Sequence, residues 1–265
     1  MTVPGDDIIL QVEGLSKDFG GLRAVDRCDL AVRRGTITGL IGPNGAGKTT
    51  LFSLISGFVQ PTEGRVLFDG RDVTGWPPHR IFREGLCRTF QIPREHGSMT
   101  VLENLMLVPK DQIGERFWGP LLRPGAVRRQ EAAIRDRARE VLAFLKLEPL
   151  THEHARSLSG GQKKLLEIAR TLMADPKLVL LDEPAAGVNP TLMGEIRDRI
   201  EELKRDRGIT FLLIEHDMQL VMDLCDPVMV MNQGTDLAVG PPAQVRTDPR
   251  VLEAYLGGPS GDARG

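Results

Sequence analysis

A chain of 265 residues has room for one large domain or two small ones, and 41% hydrophobic with 26% charged residues is ordinary for a soluble globular protein. The formal net charge of −2 and a pI of about 6.2 argue against a nucleic-acid binder, which carries a basic excess on one face. No run approaches the roughly eighteen apolar residues of a membrane span, and the opening MTVPGDDI lacks a basic-then-apolar signal. The expectation is a cytosolic protein, or one held at a membrane only through another subunit. Cys28, Cys87 and Cys225 lie far apart among apolar neighbours and read as buried small hydrophobes in a reducing compartment.

Two strand-like stretches, IILQVEGL and VDRCDLAV, occupy 8–32 with a turn around Gly20 and Gly21. A strand over 36–41 runs into GPNGAGKTT, and a helix from about Gly47 ends near Gly57. Pro61, Thr62, Glu63 and Gly64 make a turn before the short strand RVLF. Thr100 with Glu103 is a capping-box signature ahead of the helix VLENLML. Residues 109–125, rich in Pro and Gly, read as an irregular insertion; from Ala126 onward Ile134, Ala138, Val141, Leu142 and Leu145 recur at helical offsets. The last third alternates: a helix over 162–174, the strand LVLLDE, a helix over 192–207, the strand ITFLLIE. Continuous apolar strands separated by helices predict a mainly parallel sheet covered on both faces. The stretch 92–162 reads as a helical subdomain inserted into that α/β core, and the tail 259–265 as disordered.

Residues 42–50 match G-x-x-x-x-G-K-S/T through Gly42, Gly47, Lys48 and Thr49, between a strand and a helix as a phosphate cradle requires. Gly42, Pro43, Asn44, Gly45, Ala46 and Gly47 make a turn whose N–H groups face inward as an anion nest, and the helix adds the positive end of its dipole. Lys48 brings a full charge to the outer phosphates, and the hydroxyl of Thr49, with Thr50 beside it, can ligate Mg²⁺. The expectation is that the chain binds a nucleoside triphosphate.

Two further motifs extend that chemistry. A buried strand LVLLDE puts Asp182 and Glu183 at the carboxyl edge of the sheet, where open α/β sheets bind ligands. Asp182 suits a magnesium ion held through water, and Glu183 suits orienting and deprotonating an attacking water. The run LSGGQ, from Leu158 through Ser159, Gly160 and Gly161 to Gln162, opens a helix and so offers a second phosphate site. One triphosphate needs one cradle; two chains packed head to tail would each close this motif over the other's nucleotide. His152 and His154, in THEHA, have no further ligand set beside them and read as exposed polar residues, not a zinc pair.

Taken together, these motifs resemble the ATP-binding subunits of ABC transporters over about residues 8–257. The resemblance implies a single domain over 8–258: a P-loop NTPase (RecA-like) core with an antiparallel β-subdomain over 1–91 and 163–240, an α-helical subdomain over 92–162 and a C-terminal helical extension over 241–258. It implies that GPNGAGKTT is a Walker A loop, LVLLDE a Walker B strand and LSGGQ a signature motif acting in trans. It also implies roles for Gln91 as the Q-loop glutamine that contacts Mg²⁺, His216 as the switch histidine at the γ-phosphate, and Phe19 as the aromatic that stacks on adenine. Gly187, Val188 and Asn189 match the D-loop, with Asn189 where the wider family more often has Asp. The implied catalytic set is Glu183, His216 and Gln91, the implied Mg²⁺ set is Thr49, Gln91 and Asp182, and ATP is the substrate.

Finer wording is similar to one branch, the LivG type of branched-chain amino acid importer. It comprises LDEPAAGVNP at 181–190, LLIEHDM at 213–218, NQGT at 232–235, AYLGG at 254–258 and the insertion WGPLLRPGAVRRQE. That resemblance implies a second ABC ATPase subunit (a related chain or itself), two membrane permease subunits and, indirectly, a periplasmic or extracellular solute-binding protein, with no nucleic acid. It places the chain at the cytoplasmic face of the inner (plasma) membrane. The alternative is the ATPase of another ABC system such as lipopolysaccharide export, whose D-loop is usually closer to GVDP and which lacks the long insertion. A soluble ABC protein would need tandem ATPase domains or a long coiled coil, and a metabolic P-loop kinase leaves LSGGQ unexplained.

Overall fold

Apolar runs that spare no residue for solvent become the parallel strands of the structure, a computed structural model that describes residues 7–89, 95–115 and 124–256. Strands β3 (Ile37–Ile41), β6 (Leu86–Arg88), β7 (Leu178–Asp182), β8 (Thr210–Ile214) and β9 (Val228–Asn232) are parallel. Strand β10 (Thr235–Gly240) returns antiparallel beside β9, and the order across the sheet is β10-β9-β3-β8-β7-β6. Successive side chains alternate between two cores. Ile37, Ile41, Val179, Leu181, Phe211 and Leu213 enter one, while Leu40, Leu178, Leu180, Leu212 and Ile214 enter the other. A strand buried on both faces has no polar phase, which is why its sequence runs apolar without alternation.

The second core is closed by a smaller sheet. Strands β1 (Ile8–Phe19) and β2 (Leu22–Arg33) form a hairpin at Gly20 and Gly21, and with β4 (Glu63–Phe68) and β5 (Arg71–Asp72) give the antiparallel order β2-β1-β4-β5. Leu10, Val12, Val25, Val66 and Phe68 from this sheet share a core with Leu51, Phe52 and Ile55 of helix α1 (Lys48–Ile55). Helix α2 (Pro78–Glu84) leads into β6.

The other core packs the helices. Helix α3 (Val101–Met106) starts at the expected capping box, Thr100 Oγ1 accepting from Glu103 N–H at 3.2 Å and Thr100 N–H donating to Glu103 Oε2 at 2.8 Å. Helix α4 (Pro124–Phe144) buries Val127, Ile134, Ala138, Val141 and Leu142; the last four belong to the stripe read from the sequence, whose fifth member, Leu145, is buried just past the helix end. Helix α5 (Gly160–Leu172) and helix α6 (Pro190–Arg207) each begin before the expected 162 and 192, because Ser159 and Asn189 cap them with side-chain oxygens. Helices α7 (Met218–Leu224), α8 (Pro242–Thr247) and α9 (Pro249–Leu256) are the last helices among the described residues. Residues 116–123 of the expected insertion, Gln91 and the tail 259–265 lie outside the described residues. Among the described residues, no helix is long and apolar enough to cross a membrane.

Candidate active site

Parallel pairing brings the carboxyl ends of β3, β7 and β8 to one edge of the sheet, and the candidate site is built on that edge. The loop after β3 winds into α1 with Gly47 as N-cap at φ 100. A Cβ at Gly47 would come within 2.6 Å of the Ala24 carbonyl oxygen, so the turn needs glycine for both its backbone and its space. Lys48 follows, only 6% exposed, and its Nζ donates to the carbonyls of Gly42 at 2.7 Å and Pro43 at 3.0 Å. Burial pulls the Lys48 ammonium below its usual pKa, against the opposing attraction of Glu183 and Asp182. Asn44, Gly45, Ala46, Gly47, Lys48, Thr49 and Thr50 line a cleft of about 620 Å³, together with Phe19, Leu22, Arg23, Glu183 and His216. Phe19, 47% exposed at the tip of the β1–β2 hairpin, forms part of its wall.

Asp182 closes β7, and Glu183 turns immediately after it with φ 50, a left-handed conformation unusual for a residue with a side chain. Glu183 Oε1 lies 2.8 Å from His216 Nε2. The Glu183 carbonyl accepts from Lys164 Nζ at 3.1 Å, which ties this corner to α5. Asp182 is 4% exposed; its Oδ2 accepts from Arg88 Nη2 at 2.9 Å and its N–H donates to Thr89 Oγ1 at 3.2 Å. Glu215, also 4% exposed, accepts from Ala185 N–H at 2.8 Å and from His216 N–H at 3.1 Å. Burial raises the Glu215 carboxyl, and the backbone N–H groups of Ala185, His216 and Asp217 pull it back. Arg88, Lys164 and Glu215 join the site in the structure without a role marked for them by any motif in the sequence. Glu215 had a readable signal, a carboxylate directly after the apolar run TFLLI; Arg88 and Lys164 had none.

The residues that resemblance assigns to magnesium suit a hard cation. The Thr49 hydroxyl and the Asp182 carboxylate are oxygen donors, few in number, as expected where an ion shares its shell with substrate phosphates and water. Gln91, the third member of that set, lies outside the described residues. Among the described residues no group of three or more His, Cys, Asp or Glu gathers to hold a metal, and His154 Nδ1 lies 3.1 Å from the Ser98 carbonyl oxygen.

The LSGGQ segment is arranged differently from a bare phosphate nest. Ser159 Oγ accepts from Gln162 N–H at 3.3 Å and Ser159 N–H donates to Gln162 Oε1 at 2.9 Å, a reciprocal box at the start of α5. The serine hydroxyl, expected to face a phosphate, caps its own helix within this chain. A Cβ at Gly161 would come within 2.1 Å of Leu192 Cδ2, so α6 presses directly on the motif. Leu158 is buried beneath it. Ser159, Gln162 and Asn189, with Thr191 and Leu192, line a hollow of about 340 Å³ separate from the cleft over Lys48. Gly187, at φ 72, and Val188 lead from β7 into that hollow's wall.

Known proteins resemble the chain over most of its length. A family model described as ABC transporter matches residues 25–186, and one described as branched-chain amino acid ATP-binding cassette transporter matches residues 237–260. The chain is 46% identical over 249 residues to the probable branched-chain amino acid transport ATP-binding protein LivG of Archaeoglobus fulgidus, covering 94% of this chain and 95% of that one. It is 43% identical to the high-affinity branched-chain amino acid transport ATP-binding protein BraF of Pseudomonas aeruginosa, covering 94% and 98%. A crystal structure of a nucleotide-free ATP-binding cassette from an ABC transporter superposes with TM-score 0.80 at 40% identity, covering 95% of this chain and 100% of that one. The ADP conformation of an ABC transporter cassette superposes with TM-score 0.79 at 40% identity, covering 95% and 99%.

Proposed function

The chain belongs to the ABC transporter family, among its LivG-type ATP-binding proteins, and from that premise we propose that it powers import of branched-chain amino acids through a head-to-tail ATPase dimer. It is an ATP hydrolase of the ABC type. The observation that carries the dimer is the separation, within one chain, of the Ser159 hollow from the Lys48 cleft. A second copy, or a related chain, related by a two-fold axis would lay its α5 N-terminus over the first chain's cleft. The N–H groups of Gly160 and Gly161 and the α5 dipole would then meet the terminal phosphate.

In this reading Lys48 and the loop 42–47 hold the β- and γ-phosphates and Phe19 stacks on adenine. Thr49, Asp182 and Gln91 would hold magnesium, which would supply positive charge to offset that of the phosphates. Glu183 takes the proton of the attacking water, and His216, hydrogen-bonded to its Oε1, keeps the carboxylate aimed and contacts the γ-phosphate. Gly187, Val188 and Asn189 position the opposite site. ATP drives transport only by favouring the closed dimer over the open one; the γ-phosphate, held by both chains, is the group that can do so. Closure carries the helical part over 92–162 with it, and with that part the two permease subunits on which the chain docks at the cytoplasmic face of the membrane.

The cargo assignment is supported by the wording of the relatives and by the C-terminal match over 237–260. The test is ATP turnover in proteoliposomes holding the two ATPases and their permease. Leucine-, isoleucine- or valine-loaded binding protein is expected to stimulate turnover above the unloaded protein. Equal turnover with and without all three amino acids would overturn the cargo while leaving the ATPase intact.

A further inference from the structure

Asp182 has a fixed cationic neighbour. Arg88, the last residue of β6, donates to its Oδ2 at 2.9 Å, with the two side chains 7% and 5% exposed. Parallel pairing sets Arg88 opposite Leu180, two residues before Asp182, so the guanidinium reaches along the strand to the carboxylate at its end. It is held there from the other side. Nη1 donates to Ser53 Oγ at 3.0 Å and lies 3.4 Å from Ser56 Oγ, on and just after α1, and the guanidinium sits 5.7 Å from the Phe52 ring centre. The same helix carries Lys48 and Thr49 at its start, so one side chain links the phosphate-loop helix to the strand that ends in Asp182.

A guanidinium keeps its proton at any ordinary pH, and a buried pair is little screened by salt. A divalent cation taken up by the Asp182 carboxylate therefore meets a permanent positive charge already bonded to that group. Two effects follow. The arginine offsets part of the carboxylate's negative charge, which weakens its pull on a metal. It also fixes the carboxylate's rotation, which decides which oxygen faces the cleft.

We propose that Arg88 is a resident counter-ion of Asp182 that competes with magnesium for the carboxylate and so sets how tightly the metal–nucleotide complex is held. The inference rests on the reading of Asp182 as a metal-holding residue. It makes Arg88 a positioning residue: buried against Asp182 and outside the described lining of the cleft over Lys48, it acts through Asp182. The functional consequence is faster loss of the metal–ADP product, since a carboxylate relieved of its counter-ion would grip the ion longer. A purely structural ion pair would also lower stability when broken, but it would not tighten metal binding.

The experiment is a Mn²⁺ titration, followed by electron paramagnetic resonance, of the full chain saturated with a non-hydrolysable ATP analogue. Arg88→Met and Arg88→Gln are expected to bind Mn²⁺ roughly tenfold more tightly than the parent chain, the effect of one nearby charge in a partly screened site. Arg88→Lys, which keeps the charge, is expected to stay close to the parent. Unchanged or weaker Mn²⁺ binding in both uncharged variants would overturn the proposal, as would equal tightening in Arg88→Lys. Asp182→Asn separates the two levels: if it fails to weaken Mn²⁺ binding, the premise about Asp182 falls, and the proposal with it. Should the uncharged variants not fold, isotope-edited NMR of the parent chain decides. Mg²⁺ added to the nucleotide-saturated protein is expected to shift the Arg88 guanidinium signals, and signals that stay in place would refute the competition.

Discussion

His216 Nε2 and Glu183 Oε1 lie 2.8 Å apart, with the imidazole side chain 46% exposed and the carboxylate 17%. Neighbouring strands create the pair. Asp182 of β7 stands in register with Ile214 of β8, and Glu183 N–H donates to the Ile214 carbonyl at 2.9 Å. Glu183, one residue past β7, and His216, two residues past β8, then turn toward one another over the cleft. Glu183 accepts a left-handed φ of 50 to do so, strain on the order of 1 kcal/mol that the surrounding hydrogen bonds hold in place.

That geometry predicts a sharp division between binding and turnover. Glu183→Gln keeps the shape and removes the base. It should leave ATP binding intact while lowering hydrolysis by ~10²–10⁴-fold, the usual range for a positioned base, and should trap an ATP-bound dimer. Steady-state turnover in the assembled complex, alongside equilibrium nucleotide binding, checks both halves. Near-normal hydrolysis would remove Glu183 from the role of base.

The strands and the phosphate loop were legible because burial on both faces and the glycine turn leave direct marks in composition. The start of α3 was legible for the same kind of reason, a local cap at Thr100 and Glu103. The starts of α5 and α6 were read two residues late, since apolar periodicity begins only after the capping turn that Ser159 and Asn189 provide. Arg88 and Lys164 could not be read at all. Their partners, Asp182 and the Glu183 carbonyl, lie 94 and 19 residues away, and only the pairing of β6 with β7 and the packing of α5 bring them together. Glu215 lay between these cases, its carboxylate visible at a strand end but its N–H partner at Ala185 set by the fold.

Lys48 makes its two hydrogen bonds to the carbonyls of Gly42 and Pro43 from a position 6% exposed. Lys48→Ala should therefore lose both a phosphate charge and a brace on the loop. A charged hydrogen bond of about 1.5–3 kcal/mol corresponds to roughly 10–100-fold weaker ATP binding. Titration calorimetry reads this directly, and an unaltered affinity would contradict the role.

The separation of the Ser159 hollow from the Lys48 cleft makes a prediction about mixtures. A mixed dimer with Lys48→Ala in one chain and Ser159→Arg in the other should keep one intact composite site, because both lesions fall in the same composite site and spare the other. Single-turnover hydrolysis should approach half the parent amplitude. Loss of both sites equally would argue against head-to-tail assembly. Ser159→Arg also removes the α5 cap, so a drop of about 1 kcal/mol in stability is expected and must be measured separately.

Gly161 is fixed by space, since a Cβ there would fall 2.1 Å from Leu192 Cδ2. Gly161→Ala should destabilise the chain by about 1 kcal/mol, the low end for overpacking, because the atom it meets ends a movable side chain. Leu192→Ala in the same chain should restore most of the loss. Urea melts of the single and double variants measure the coupling, and additive losses would show that α6 does not press on the motif.

Glu215 gives a prediction with a sign. Burial, the largest influence, raises its carboxyl above a glutamate's ordinary value of 4.5, so the folded chain holds this proton more firmly than the unfolded one. Stability from that proton is fully present below the unfolded value and is lost as pH rises through the folded value. Glu215→Gln cannot titrate and keeps only one acceptor for the N–H groups of Ala185 and His216, leaving the other unpaired at a cost of about 1–3 kcal/mol. The variant should therefore be the less stable protein at acid pH and should regain ground on the parent as pH climbs from below 4.5 toward neutrality. Chemical denaturation of both proteins across that range checks the slope. A gap that widens with rising pH would mean that the backbone N–H groups, which favour the ionised carboxylate, outweigh burial at this position.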